Sequence, residues 1–350
     1  MSNTASPKDV VASAQANLET AAQSGMVRPL RADEFAQWEA LVRESAQGTL
    51  FHSRLWLDAL TEPYELFGWF CGGELRGGFA AGTAGPRAIS APYPALTPYL
   101  GLIFPKPDTK YVTRISTEKK IATAFATFLK SEFDSVQFRF PPEVTDLQPF
   151  IWEGFQTGLR YTYRLSLDSL ESILANMDKK CRRDLTNAEK QGVRIETNVP
   201  FTQVMALCEK SLHRRGLTTP LRPAAERMEA VLRNAGRCKG LLARSREDAA
   251  IGAVWIVWDE KRAYYLLGGY DDSASSNNAV ALALWHAIKF TTIDLRLSEF
   301  DFEGSMIPSI ERFFRKFGGT LRPTYTISYQ KAISLSQRIW RRGARVLERS

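Results

Sequence analysis

Cysteine and histidine are scarce in this 350-residue chain, with four of one and three of the other. Cys71, Cys181, Cys208 and Cys238 stand far apart and form no Cys-x-x-Cys pair, and only His52, His213 and His286 could join them. This excludes the usual zinc spacings and fits reduced thiols better than a disulfide framework. Long apolar runs are missing too: no stretch approaches the roughly 18 uninterrupted apolar residues of a membrane span. The opening MSNTASPKDVVASAQANLETAAQSG lacks a basic n-region and an apolar core, so it does not read as a secretory signal. It reads as a loose leader over residues 1–25, and these absences together point to a soluble cytoplasmic protein.

What is present is enough for a sizeable core. Hydrophobic residues make up 44% and aromatics 11%, which supports two domains or one large one. Lysine and arginine number 46 against 38 acidic residues, a net charge of +8. A basic balance favours polyanionic partners: nucleotides, nucleic acid or an anionic membrane surface.

Periodicity gives the layout. A strand at MVRPL precedes helices over ADEFAQWEALVRES and SRLWLDAL, the second capped by Ser53. A glycine-broken strand meander and a proline-punctuated loop, PYPALTPYLGLIFP, come next. A helix over TEKKIATAFATFLKSEF, a strand SVQFRF, a short helix at LQPFIWEGF and a strand RYTYRLSL complete the first half. The second half opens on a single expected helix, 168–192, with Asp168 and Glu171 as capping box and Gly192 as stop. Its apolar stripe turns Lys179, Arg182, Arg183 and Lys190 outward. A strand, two helices and a three-strand meander follow, then a helix after Asn278 that is apolar almost all round and so buried. Strand LSEFDFEG, helix SIERFFRKF and strand LRPTYTISYQ close an α/β layout with a mixed sheet. The tail 331–350 places Ile333, Leu335, Ile339, Trp340, Val346 and Leu347 opposite six basic residues. This reads either as an amphipathic helix on anionic lipid or as a helix docked on its own domain.

Five stretches in register carry a resemblance: GTLFHSRLWLDAL, PYPALTPYLGLIF, KKCRRDLTNAEKQGV, YYLLGGYDDSASSNNAVALALWHAIK and FDFEGSMIPSIERFFRKFGG. With them the chain resembles the GNAT N-acyltransferase superfamily, and more closely its Fem-like branch. That branch comprises nonribosomal aminoacyltransferases of peptidoglycan bridge synthesis and related envelope acyltransferases. The resemblance implies two GNAT-like halves with mixed sheets packed side by side, at 26–165 and 166–330, plus a C-terminal basic helix. It implies transfer of an acyl or aminoacyl group to an amine of a cell-envelope precursor or amino sugar. The co-substrate would be acyl-CoA or aminoacyl-tRNA, and the acceptor a small or lipid-linked amine. Such an enzyme could sit peripherally at the inner face of the membrane through 331–350. The chain departs from relatives that use a nucleotide-linked muropeptide at two positions, where their lysines are replaced by Phe314 and Leu60. A noncatalytic polyanion- or membrane-binding protein is the competing reading.

The chemistry of acyl transfer needs an activated carbonyl, donors for the oxyanion and a route for the amine proton. The resemblance places the carbonyl beside a splayed strand, and AYYLLGGYDD fits, with Gly268 and Gly269 permitting close approach and Tyr265 as a catalytic candidate. Period-2 alternation puts Glu299, Asp301 and Glu303 on one face of the strand LSEFDFEG. Clustered carboxylates raise one another's pKa, which makes Asp301 and Glu303 candidate bases. The alternative is a solvated strand face pairing with Arg312 and Arg315. Arg182 stands out as an anion clamp, flanked by Lys179 and Arg183, with Arg315 and Lys316 as further cations. Trp56 and Tyr99 are expected either to line the cleft or to belong to the core.

Overall fold

A computed structural model describes residues 25–85, 87–89, 93–106, 109–216, 221–271, 278–304 and 306–331. The expected leader and basic tail helix lie outside the described residues, apart from Gly25 and Lys331, as do Ser305 and most of DDSASSNN.

The first half runs through β1 (Met26–Pro29), α1 (Phe35–Glu44) and α2 (Arg54–Leu57), a single turn in which the Ser53 side chain accepts the Trp56 N–H. β2 (Tyr64–Cys71) and β3 (Glu74–Gly85) form a hairpin whose tip places Gly72 and Gly73 at positive φ. β4 (Ala88–Ile89), β5 (Gly101–Ile103), α3 (Tyr111–Glu132), β6 (Ser135–Arg139), α4 (Gln148–Trp152) and β7 (Gln156–Ser166) follow. The second half contains α5 (Leu170–Asn176), α6 (Lys179–Lys190), β8 (Arg194–Glu196), α7 (Phe201–Arg214) and α8 (Arg222–Asn234). It continues through β9 (Cys238–Arg244), β10 (Ala250–Trp258), β11 (Arg262–Tyr270), α9 (Asn278–Ile293), β12 (Glu299–Asp301), α10 (Pro308–Arg315) and β13 (Thr320–Gln330).

Three expectations need correction. The helix predicted over 168–192 is two helices, α5 and α6, broken at Met177 and Asp178. Ser169, not Asp168, caps the first, and the Asp178 side chain caps the second by accepting the Lys180 and Cys181 N–H groups. The apolar stripe stays in phase across the break, with Met177 and Cys181 both buried, so periodicity alone passes over it. The stretch 91–104 is not all loop, because Gly101–Ile103 pairs with β3. α3 begins at Tyr111, ahead of the expected Thr117.

The strands follow one path, β1-β2-β3-β4-β6-β13-β7-β12-β11-β10-β9-β8, with β5 added on β3. The sheet is mixed: β4–β6 and β11–β12 are parallel and the other pairs antiparallel. β13 lies between β6 and β7, so the ladder runs without interruption from residues of the first half to those of the second. β10 is buried on both faces. Ala253, Trp255 and Val257 face α7, α8 and the first half, while Val254, Ile256 and Trp258 face the layer of α5, α6, α9 and α10. α9 is buried almost all round, as its composition predicts. Among the described residues, no helix is long and apolar enough to cross a membrane.

Candidate active site

The site lies where two parallel strands part. β11 and β12 pair through Arg262 with Glu299, Ala263 with Phe300 and Tyr264 with Asp301, and no further. β11 runs on to Tyr270, whereas Phe302 turns its N–H to the Tyr163 carbonyl of β7 at 3.0 Å. A register shift helps this divergence: Trp255 and Ile256 of β10 face Leu267 and Tyr265, leaving Leu266 as the extra residue of a bulge. Among the described residues, the β12 side of β11 therefore has no partner strand beyond Tyr264. Tyr265 and Glu303 are the first residues past the pair Tyr264–Asp301 that bear titratable groups, one on each diverging strand.

Asp301 is completely buried and fully engaged. Its Oδ1 accepts the Thr162 hydroxyl at 2.5 Å and the Glu303 N–H at 2.8 Å. Its Oδ2 accepts Arg164 Nε at 3.0 Å and the Tyr99 hydroxyl at 3.2 Å. Arg164 also pairs with Glu143, and Arg262 lies 3.2 Å from Glu299. Burial opposes the charge on Arg164, but Asp301 and Glu143 outweigh it and keep the guanidinium strongly protonated. Burial likewise pushes Glu143 up, and Arg262 with Arg164 brings it below the usual carboxylate range.

Glu303 is the opposite case. Its backbone sits at φ 56°, in the left-handed region that a non-glycine residue seldom adopts, and the Asp301 carboxylate holds its N–H there. Gly304 follows at φ 61°, and a Cβ there would fall 1.9 Å from the Tyr161 carbonyl oxygen. The turn is therefore pressed onto β7. Glu303 Oε1 is sealed from solvent and has no hydrogen-bond partner. Burial first, then the charge of Asp301, raises this carboxyl well above its ordinary range. Across the gap, burial followed by Cys208 and Glu303 holds the Tyr265 phenol above its usual range against the opposing pull of Arg215. The Tyr265 ring packs edge-on against Phe314, centroids 5.4 Å apart, and its hydroxyl fills the space that a Cβ at Gly268 would need.

The other sequence candidates disperse. Trp56 and Tyr99 do not line a cleft: both are buried, Trp56 donating to the Thr97 hydroxyl at 3.0 Å and Tyr99 to Asp301. The room at Gly269 is taken by α7, whose Leu207 carbonyl oxygen would lie 2.1 Å from a Cβ. Arg182 is half-buried and Lys179 and Arg183 exposed on α6; the start of α6 is tied to α10 by the Asp178 N–H on the Lys316 carbonyl at 2.9 Å. Arg315 pairs with Glu311 on its own helix at 3.3 Å. Phe314 and Leu60, at the two positions of lost lysines, are buried. Thr162, Arg164 and Glu143 were not singled out from sequence. The one signal for the first two is the polar alternation of RYTYRLSL, Arg160, Thr162 and Arg164 on one face. No group of metal ligands occurs among the described residues.

Residues 175–314 match the family model described as an acetyltransferase (GNAT) domain. No curated protein sequence matches the chain. Among solved structures it is similar to FemX, at 13% identity and a TM-score of 0.63, over 90% of this chain and 99% of that one. It is also similar to a tandem GNAT protein from the clavulanic acid biosynthesis pathway, at 12% identity and a TM-score of 0.56, over 89% and 100%. A third is the C-terminal domain of a putative lysylphosphatidylglycerol synthetase from Agrobacterium fabrum, at 12% identity and a TM-score of 0.52, over 90% and 97%. The parting of β11 from β12 lies inside the matched segment, and the two halves together reproduce the tandem architecture. Residues 175–314 thus match a GNAT acetyltransferase domain model, and the chain as a whole shares the fold of FemX and of the tandem GNAT protein.

Proposed function

We propose that the chain is an N-acyltransferase in which Glu303 takes the proton of the attacking amine and Tyr265 returns one to the leaving group. One observation carries this reading: where β11 and β12 separate, a carboxyl with an unpartnered, enclosed oxygen follows one strand and a half-buried phenol within its electrostatic reach lies on the other. A carboxylate with a raised pKa lies closer to that of an ammonium ion, which makes proton transfer between them more even. The phenol stays protonated, as a donor must. N–H groups on the β12-side edge of β11 beyond Tyr264 serve the oxyanion of the tetrahedral intermediate. The amine nitrogen then forms its bond to the carbonyl carbon, the bond to the thiolate or ribose oxygen breaks, and the Tyr265 proton caps the departing atom. Asp301, sealed and saturated, positions Glu303 and does not itself meet substrate.

GNAT domains use acyl-CoA, and we take an acyl thioester as the donor, with aminoacyl-tRNA as the second donor to be tried. The acceptor is read as an amine on an envelope precursor or amino sugar, small or lipid-linked, with the tail 331–350 as a contact to anionic membrane. Incubation with acyl-CoAs or aminoacyl-tRNAs and panels of amines, followed by mass spectrometry of the products, tests the activity. Glu303→Gln is expected to lower kcat about 10²–10⁴-fold, the usual scale for a general base, with the KM for the donor little changed. Wild-type turnover in this variant removes Glu303 from the mechanism.

A further inference from the structure

β11 breaks the alternation of a strand at one place, and the break decides what Tyr265 faces. In a regular strand, residues three apart point to opposite faces. Here Trp255 and Ile256 of β10 stand opposite Leu267 and Tyr265, so Leu266 is one residue too many. The packing records the effect. Ala263 and Tyr265 belong to the layer of α5, α6, α9 and α10, and Tyr264 to the other side. Leu266 and Leu267 then both join the core shared with α7, and Tyr270 returns to the layer of Tyr265. Gly269 accordingly meets Leu207 of α7, while Gly268 falls on the face of Tyr265. Bulges beside reacting groups re-aim side chains in this way.

The glycine at 268 is required for space alone. Gly268 is not among the residues at positive φ, so its backbone suits any side chain. A Cβ there would nevertheless lie 1.7 Å from the Tyr265 hydroxyl oxygen and 2.6 Å from the ring carbon Cζ that bears it. The phenol therefore lies along β11 over bare backbone, with the Phe314 ring edge-on against it, centroids 5.4 Å apart. Its hydroxyl makes no hydrogen bond among the described residues and is not one of the sealed polar atoms. Shape holds the hydroxyl, and its proton stays free. Gly268 also lies past Tyr264, on the stretch of β11 that no longer pairs with β12.

We infer that Gly268, turned to the face of Tyr265 by the Leu266 bulge, is a positioning residue. Its missing side chain sets the Tyr265 hydroxyl beside the unpaired edge of β11, where the leaving atom receives its proton. That destination rests on the acyltransferase reading, whereas the contact between Gly268 and Tyr265 does not. The two neighbouring glycines thus have different occupants: Gly268 makes room for the phenol and Gly269 for the backbone of α7.

The test is a double-mutant cycle read in two ways. Gly268→Ala is expected to lower kcat by about tenfold or more, towards the level of Tyr265→Phe, with the KM for the donor little changed, as for a displaced general acid. In the Tyr265→Phe background the same alanine should lower kcat hardly further, because the proton donor is already gone. A merely structural glycine would lower kcat by one factor in both backgrounds. That result, or wild-type kcat in Gly268→Ala, overturns the assignment. The second reading needs no substrate. Gly268→Ala should lower the urea midpoint of the wild type, and Tyr265→Ala, which empties the notch, should abolish that loss. Equal losses in both backgrounds overturn the contact. If Gly268→Ala does not fold, the Gly268→Ala/Tyr265→Ala protein should, and failure of both also overturns it. Gly269→Ala, which meets α7, should lower the midpoint equally with and without the Tyr265 side chain, and dependence on Tyr265 there overturns the assignment of faces. Lack of product from the wild type with every donor would sink the acyltransferase reading and leave the midpoint coupling in place, so the two failures are told apart.

Discussion

At the β11/β12 end of the central sheet, Arg164 and Arg262 meet three carboxylates; at the β6/β13 end, Arg139, Arg160 and Arg322 meet none among the described residues. Same face, same residue type, opposite treatment. At the first end Arg164 and Arg262 are paired with carboxylates, and Tyr99 covers Asp301, though two Arg262 nitrogens make no hydrogen bond. What that end contributes is geometry, above all the turn that carries Glu303. At the second end, like charges are left exposed or half-buried, which adds no stability and leaves hydrogen-bond donors free.

The sharpest way to break this contrast is to remove one charge from each end. Arg164→Met strands two carboxylates and is expected to destabilise the protein by about 3–5 kcal/mol, as loss of one buried ion-pair partner does. Urea unfolding of the variant measures this, and a change under about 1 kcal/mol would dissolve the distinction. Thr162→Val removes the hydroxyl that Asp301 accepts at 2.5 Å. We expect about 1.5–3 kcal/mol, the range for a hydrogen bond to a charged group, with Thr162→Ser restoring most of it.

Glu303→Gln should shift stability in the other direction. Its folded-state pKa is raised, so above the ordinary glutamate range the unfolded chain gives up a proton that the folded chain retains. Stability of the wild type therefore falls as pH rises from the unfolded pKa towards the folded one. The glutamine variant should lack that decline and be the more stable protein at the upper end of the window. Melting temperatures across pH decide it, and parallel curves for the two proteins would contradict the raised pKa of Glu303. The smallest effect belongs to Arg322→Gln, expected within about 0.5 kcal/mol of wild type as for an ordinary exposed position. A large loss there would move Arg322 to the scaffold end.

Much of this was legible in the sequence. The order of elements and the buried α9 follow from periodicity, but the expected strand LSEFDFEG stops at Asp301, and Glu303 leaves the shared face at positive φ. The candidates Tyr265 and Glu303 come from the resemblance and the acidic strand. What could not be read was which member of that strand is enclosed. Asp301 and Glu303 look alike as i and i+2, yet one receives Thr162, Arg164 and Tyr99 from distant elements while the other leaves the strand at positive φ. Trp56 and Tyr99 illustrate the same limit, since their burial comes from packing between elements far apart in sequence. The break between α5 and α6 was hidden because its capping leaves the apolar stripe in phase. The shared face of Arg139, Arg160 and Arg322 needed the register of β13 against two strands made long before it.

That insertion of β13 has a consequence for assembly. β6 ends at Arg139 and β7 at Ser166, yet the strand that joins them begins only at Thr320. Until it arrives, β6 and β7 present unpaired edges to one another across an open slot, the kind of edge that captures foreign strands. The slot is also a socket. A chain ending at Gly319 should be aggregation-prone by itself and recoverable by a synthetic peptide of residues 320–330, which would restore both ladders and the Arg322 face together. Recovery of a cooperatively melting complex by that peptide would turn this closing strand into a removable part that can be exchanged without altering the rest of the protein.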